Sequence, residues 1–204
     1  MLKIALTGGV SSGKSTALKI FRDFGCGTIS SDLIIKELMT RDDVLKNKLK
    51  TLFNCLDDNG NVDSKKLGKI IFNSVEARKK IEAITHPLVN IVRKEFFRSC
   101  ENKGIKYAVC ETPLLFERGL SHEFDCSILM ITSLDIRIDR FIESGKGDQE
   151  KFFQITKNQM LDGEKIDKAD YVIKNNGSIE QLKEKIQNIM FDIVKENNLN
   201  KKVS

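Results

Sequence analysis

What is missing from this 204-residue sequence excludes several classes of protein at once. No stretch approaches the roughly 18 consecutive apolar residues of a membrane-spanning helix. The chain enters an apolar strand pattern at Leu2, which leaves no room for a signal peptide, so a cytoplasmic protein with no membrane partner is expected. The five cysteines, Cys26, Cys55, Cys100, Cys110 and Cys126, contain no C-x-x-C pair and are odd in number. Neither a zinc site nor a disulfide framework is therefore expected, and the thiols should be reduced and mostly buried. The net charge of +5 is Lys-dominated and interspersed with acidic residues, without the dense basic clustering and aromatic stacking partners of a nucleic-acid groove. A mild positive excess suits a small polyanionic ligand instead. There is no internal repeat and no low-complexity tract.

What is present begins at once. Gly8-Gly9-Val10-Ser11-Ser12-Gly13-Lys14-Ser15 is a complete G-x-x-x-x-G-K-S phosphate-binding loop directly behind the apolar run at residues 2–7. A loop that wraps a polyphosphate must turn its backbone N–H groups inward, and Gly8 and Gly13 supply the freedom for that. Lys14 can reach the β- and γ-phosphates, and Ser15 can ligate Mg²⁺. Apolar residues at 17, 18, 20, 21 and 24 continue from Thr16 with helical spacing as far as Gly25, so a helix dipole points at the anion.

The length suits a single domain with elaborations. Short apolar runs at 2–7, 27–29, 107–110, 126–131 and 171–173 predict strands, with helical patterns between them, and a doubly wound, mostly parallel α/β sheet follows. Residues 33–102 are too long for a simple crossover and read as several helices. They contain a turn at Asp57-Asp58-Asn59-Gly60, a helix start near Asp63-Ser64, and a helix boundary at His86-Pro87. From Arg137 to about Lys168, two helical stretches flank the charged tip Glu143-Ser144-Gly145-Lys146-Gly147-Asp148. This is either a lid over phosphates or an exposed helical hairpin. A final helix runs from Ser178 to about Lys195, with Ile179, Leu182, Ile186, Ile189, Met190 and Ile193 on its apolar face, and Asn197 to Ser204 is expected to fray.

Ligands of parallel α/β sheets sit beyond the carboxyl ends of the strands, so polar residues there are the candidates for chemistry. Asp32 follows the second strand. Either it accepts a proton from an attacking hydroxyl, or it or Ser31 caps the next helix; both hold if Ser31 caps and Asp32 points inward. Glu111 ends the third strand, in the place of a carboxylate that holds Mg²⁺ directly or through water; the alternative is a surface glutamate. His86, before a proline, reads as structural, and His122 as a surface residue.

Taken in order, Ala5 through Thr16, Ser31-Asp32, Thr85-His86-Pro87, Pro113-Leu114-Leu115-Phe116-Glu117, and Ala169-Asp170-Tyr171-Val172-Ile173 followed by Asn175 through Ser178 resemble the dephospho-CoA kinase family. The loop alone is shared with many enzymes, but its combination with T-H-P and P-L-L-F-E is specific. The resemblance implies a P-loop NTPase fold of the α/β class with a parallel five-stranded sheet. Its core would be 1–32, 104–136 and 169–196, its helical acceptor-binding insertion 33–103 and its lid 137–168. It also implies an ATP-dependent kinase that uses Mg²⁺, held by Ser15 and Glu111, to phosphorylate the ribose 3′-hydroxyl of dephospho-CoA, giving coenzyme A and ADP. Asp32 matches the family's proposed base, and Lys14 and Arg140 complete the implied catalytic set. ATP would meet Gly8, Gly9, Ser11, Ser12, Gly13, Lys14, Ser15 and Thr16, with Asn175 and Gly177 at the adenine. The acceptor would lie near Asp32, His86, Pro113, Leu115 and Glu117.

The chain departs from the family pattern at several places. Ser30-Ser31-Asp32 stands where Asp-x-Asp is frequent, and Glu111 where Asp is usual. Ser144 occupies the place of a lid arginine, so Lys146 or Lys151 is left to substitute without a bidentate fork, with Arg137 and Arg140 at the lid's base. Competing readings are another P-loop kinase acting on a nucleoside or nucleotide, which does not call for T-H-P and P-L-L-F-E, and a nucleotide-dependent switch. A GTPase needs N-K-x-D, and the nearest tetrapeptide, Asn102-Lys103-Gly104-Ile105, lacks the Asp.

Overall fold

The computed structural model describes residues 1–157 and 159–203. The predicted apolar runs become β1 (Leu2–Gly8), β2 (Gly27–Ser30), β3 (Tyr107–Glu111), β4 (Cys126–Ile131) and β5 (Tyr171–Lys174), in the sheet order β2-β3-β1-β4-β5. β1 pairs in parallel with β3 and β4, and β4 with β5. A parallel strand is buried on both faces, which is why the runs are continuously apolar rather than alternating. Ile4, Ala5, Leu6, Ala108, Val109, Cys110, Ile128, Leu129 and Met130 are all fully buried.

The chain divides into two compact units, Met1–Thr28 with Cys100–Ser204, and Ile29–Ser99. In the first, α1 (Lys14–Asp23) and α9 (Ile179–Val203) bring Ala17, Leu18, Phe21, Leu182, Ile186 and Ile193 onto Ile4, Leu6, Val109, Ile128 and Met130. α9 runs past the expected end near Lys195, and Ser204 lies outside the described residues. Ile179, expected on its apolar face, is exposed because it begins the helix ahead of the first packed turn at Leu182. The segment expected as a lid folds into α6 (Leu134–Glu143), α7 (Gln149–Thr156) and α8 (Asp162–Ile166); of the predicted tip at 143–148, Glu143 ends α6 and 144–148 form the largely exposed link to α7.

The second unit contains α2 (Ser31–Arg41), α3 (Asp43–Phe53), α4 (Ser64–Asn73) and most of α5 (Val75–Asn102), around Leu45, Leu49, Cys55, Leu67 and Ile81. The predicted turn forms as its residue types dictate: Asp57 Oδ1 accepts from the backbone N–H groups of Asn59 and Asn61, and Gly60 takes a φ of +78°. Asp63 caps α4 by accepting from Lys65 and Lys66. The expected boundary at His86-Pro87 is corrected, because Pro87 lies inside α5. Ile81, Thr85, Val89, Arg93 and Phe97 are all buried, and their four-residue spacing carries one packed stripe straight through the proline. Burial of that stripe outweighs the single N–H that the proline removes.

Candidate active site

β1 delivers the chain into the loop at Gly8, whose φ of +145° and place against β4 admit only glycine: a Cβ there would lie 2.4 Å from the Met130 carbonyl oxygen. Gly13 closes the loop as the N-cap of α1, with a φ of +96°. Between them three of the loop's carbonyl oxygens are held by side chains. The Ser12 oxygen accepts from Asn175 Nδ2 at 2.9 Å and lies 3.0 Å from Thr132 Oγ1. The Val10 oxygen accepts from Arg137 Nε at 2.9 Å, and the Gly9 oxygen from Lys14 Nζ at 2.9 Å.

Lys14 is buried along its stem, Ser15 is exposed on the first turn of α1, and Thr16 is half-buried. Ser11 is held at a φ of +59°, and its hydroxyl and that of Ser12 are buried with no hydrogen-bond partner among the described residues. Buried hydroxyls of this kind are rare unless water or a ligand takes them. Glu111 is the last residue of β3, level with Leu6 and buried at the same end of the sheet as the loop. No cluster of three or more His, Cys, Asp or Glu side chains able to hold a metal occurs among the described residues.

Other expected site residues take different places. Arg140 Nη1 donates to the Asn175 oxygen at 3.3 Å, so α6 meets the loop after β5. Asn175 is itself buried, with its amide committed to Ser12, while Gly177 is exposed. Leu115, expected beside the acceptor, is fully buried against Ala5 and Phe116. Glu117 accepts from the Met160 N–H at 2.9 Å and meets the fully buried Lys165 ammonium at 2.7 Å, while Pro113 is half-buried and its carbonyl lies 3.4 Å from Thr7 Oγ1. Lys151 Nζ, a possible arginine substitute, donates to the Lys146 carbonyl at 2.6 Å.

In the second unit, Asp32 is an exposed residue of the first turn of α2. The capping expectation is corrected there: the N-cap is Ser30, whose extended backbone precedes the helix, and Ser31 is already helical and buried. His86 is half-buried within α5. His122 is exposed on a short 3₁₀ turn, as expected. Four cysteines are buried, Cys126 is partly so, and all are free, also as expected. The residues that sequence reasoning missed are Thr132, Gln159, Asp162 and Lys165. Their partners lie far away in the chain, so no local pattern marks them.

A family model described as dephospho-CoA kinase matches residues 2–181. A dephospho-CoA kinase of Fusobacterium nucleatum is 37% identical over 185 residues, covering 90% of this chain and 94% of its own. Among solved structures, a dephospho-CoA kinase from Campylobacter jejuni is similar with a TM-score of 0.68 at 29% identity, covering 96% of this chain and 98% of its own. The protein TT1252 from Thermus thermophilus is similar with a TM-score of 0.78 at 26% identity, covering 94% and 97%.

Proposed function

The chain belongs to the dephospho-CoA kinase family, the ATP-dependent enzymes that phosphorylate dephospho-CoA to coenzyme A, and from that premise we propose how its own residues divide the work. The γ-phosphoryl group passes from ATP to the ribose 3′-hydroxyl of the acceptor. Its loose transition state asks for positioning and charge stabilisation more than for covalent chemistry.

Gly8 to Thr16 cradle the ATP phosphates through backbone N–H groups, with the Ser11 and Ser12 hydroxyls as further donors. Lys14 exchanges the Gly9 carbonyl for a phosphate oxygen, trading a neutral acceptor for a charged one. Asn175 serves ATP through Ser12, and Gly177 keeps the following turn open beside the adenine. Pro113 flanks the acceptor, while Leu115 and Glu117 hold that loop's shape from inside. Asp32 takes the proton of the 3′-hydroxyl as it attacks, a contribution of about 10²–10⁴ in rate for a positioned base. Arg140 stabilises the transferring group from the lid's base, and His86 belongs to the acceptor-binding insertion.

The donor set fits Mg²⁺. The Ser15 hydroxyl and the Glu111 carboxylate are hard oxygen ligands, and the rest of the shell would fall to water and phosphate, as this ion prefers. When bound, Mg²⁺ neutralises charge on the β- and γ-phosphate oxygens. The observation that carries the reading is the phosphate loop itself, whose Gly9, Val10 and Ser12 carbonyls are held by Lys14, Arg137 and Asn175 and whose Ser11 and Ser12 hydroxyls are buried with no hydrogen-bond partner among the described residues. Incubation with Mg²⁺-ATP and dephospho-CoA tests it: ADP and coenzyme A should form one to one, with the new phosphate at the 3′ position by ³¹P NMR. Turnover confined to a nucleoside acceptor would overturn it.

A further inference from the structure

Arg137 is among the most buried charges of its unit, at 8% exposure, and lies outside the roles assigned above. It sits on α6, yet each of its contacts belongs to a different element. Its Nε donates to the Val10 carbonyl oxygen at 2.9 Å, and its Nη1 pairs with Asp162 of α8 at 3.3 Å. Its guanidinium lies 5.4 Å from the centre of the Phe152 ring of α7, a cation–π distance. Gln159, between α7 and α8, accepts from the Val10 N–H at 3.3 Å. Both polar groups of the Val10 peptide backbone are therefore held by side chains of the lid segment.

Gly9 supplies a second, independent observation. Unlike Gly8 and Gly13, it has no positive φ, so backbone conformation does not require a glycine there. The space is taken by Arg137: a Cβ at Gly9 would lie 2.3 Å from Arg137 Nη2 and 2.5 Å from its Cζ, so a side chain there would have to displace the guanidinium. The guanidinium occupies the volume that any other residue at position 9 would need.

We propose that Arg137 is a positioning residue for ATP, pinning the Gly9–Val10 arch of the phosphate loop through the Val10 carbonyl, and that position 9 is glycine to admit it. A planar fork suits this geometry, because its carbon lies over the Phe152 ring while separate nitrogens reach Val10 and Asp162. A lysine keeps the charge but offers one point of contact. With Ser144 in the place of a lid arginine, Arg137 is how the lid's base touches the loop. The inference rests on Gly8 to Ser15 being the ATP site.

The test is calorimetric titration of ATP and of dephospho-CoA into Arg137→Ala, Arg137→Lys and Lys14→Ala proteins. Arg137→Ala should weaken ATP binding about tenfold while leaving acceptor affinity within about twofold, and added guanidinium ion should restore part of the loss. Arg137→Lys should stay impaired by more than about threefold, and Gly9→Ala should cost little more in the Arg137→Ala background than Arg137→Ala alone. ATP affinity within about twofold of the parent in Arg137→Ala, full function of Arg137→Lys, or equal losses for both substrates with no guanidinium effect would overturn the proposal. Should Arg137→Ala fail to fold, Asp162→Asn decides, since it loosens the same guanidinium from a partly exposed partner: a loss of about threefold in ATP affinity supports the proposal and an unchanged affinity refutes it. Lys14→Ala separates the two levels. If it too leaves ATP binding intact, the ATP-site reading has failed; if it alone weakens binding, only the role of Arg137 has.

Discussion

Asn175 gives its side-chain amide to the carbonyl of Ser12 at 2.9 Å, across 163 positions of sequence. Gly13 makes that approach possible, since a Cβ there would stand 2.2 Å from the amide nitrogen. The loop after β5 and the loop after β1 are thereby one structure, with Thr132 between them.

Asn175→Ala should accordingly cost both stability and nucleotide binding. Losing one buried hydrogen bond and stranding part of its acceptor costs about 1–2 kcal/mol. Urea unfolding with and without ATP checks this, and the stabilisation that ATP confers should shrink in the variant. An unchanged ATP increment would mean that the Ser12 peptide needs no brace.

A second buried link joins α8 to the loop after β3. Lys165 is fully buried, and its ammonium lies 2.7 Å from Glu117 Oε1, which also takes the Met160 N–H. Removing one partner strands a charge in the interior, so Lys165→Met should destabilise the protein by about 3 kcal/mol. Adding Glu117→Gln should recover much of that loss. Denaturant midpoints of the single and double variants measure it, and simple additivity would contradict the pairing.

Arg140 and Lys146 should separate cleanly. Arg140 is half-buried and bonded to the Asn175 carbonyl, whereas Lys146 is exposed at the tip, and Ser144, where an arginine was expected, spends its hydroxyl on the Phe141 carbonyl. Steady-state kinetics should find kcat about 10²-fold lower in Arg140→Ala and nearly unchanged in Lys146→Ala. Equal small effects would remove Arg140 from the chemistry.

The thiols yield a pH dependence. Burial pushes Cys26 from the ordinary 9.0 up to about 11, and burial followed by Asp170, Asp125 and Glu196 pushes Cys126 up to about 12. A raised folded-state pKa means that the fold favours the protonated thiol. This contribution to stability is complete below about pH 9 and is lost as pH rises toward those values. Native protein at pH 8 should resist iodoacetamide at both sites, and the resistance should vanish in denaturant. Rapid alkylation of native Cys26 at pH 8 would contradict the burial.

Much of this was legible in the sequence wherever the cause is local. The phosphate loop, the five strands, the Asp57 turn and the Asp63 cap each follow from residue types acting within a few positions. Local reasoning failed at Pro87, where a buried stripe overrides the preference of the residue before a proline, and at Ser30, which takes the cap one residue earlier than expected. It also could not find the braces of the loop. Arg137 meets Val10 across 127 positions and Thr132 meets Ser12 across 120, so nothing near either residue announces its partner. The buried Leu115 and Glu117 are the converse case: a motif specific enough to mark a family serves here, by its contacts, to shape a loop from within.

The proposed division of labour between Asp32 and Lys14 is tested most directly by kinetics combined with ATP titration of the Asp32→Asn protein. With Asp32 as the base for the 3′-hydroxyl, kcat should fall by about 10²–10⁴ while ATP affinity stays near the parent value, in contrast to Lys14→Ala, which should weaken ATP binding as well. A near-normal kcat in Asp32→Asn would contradict it.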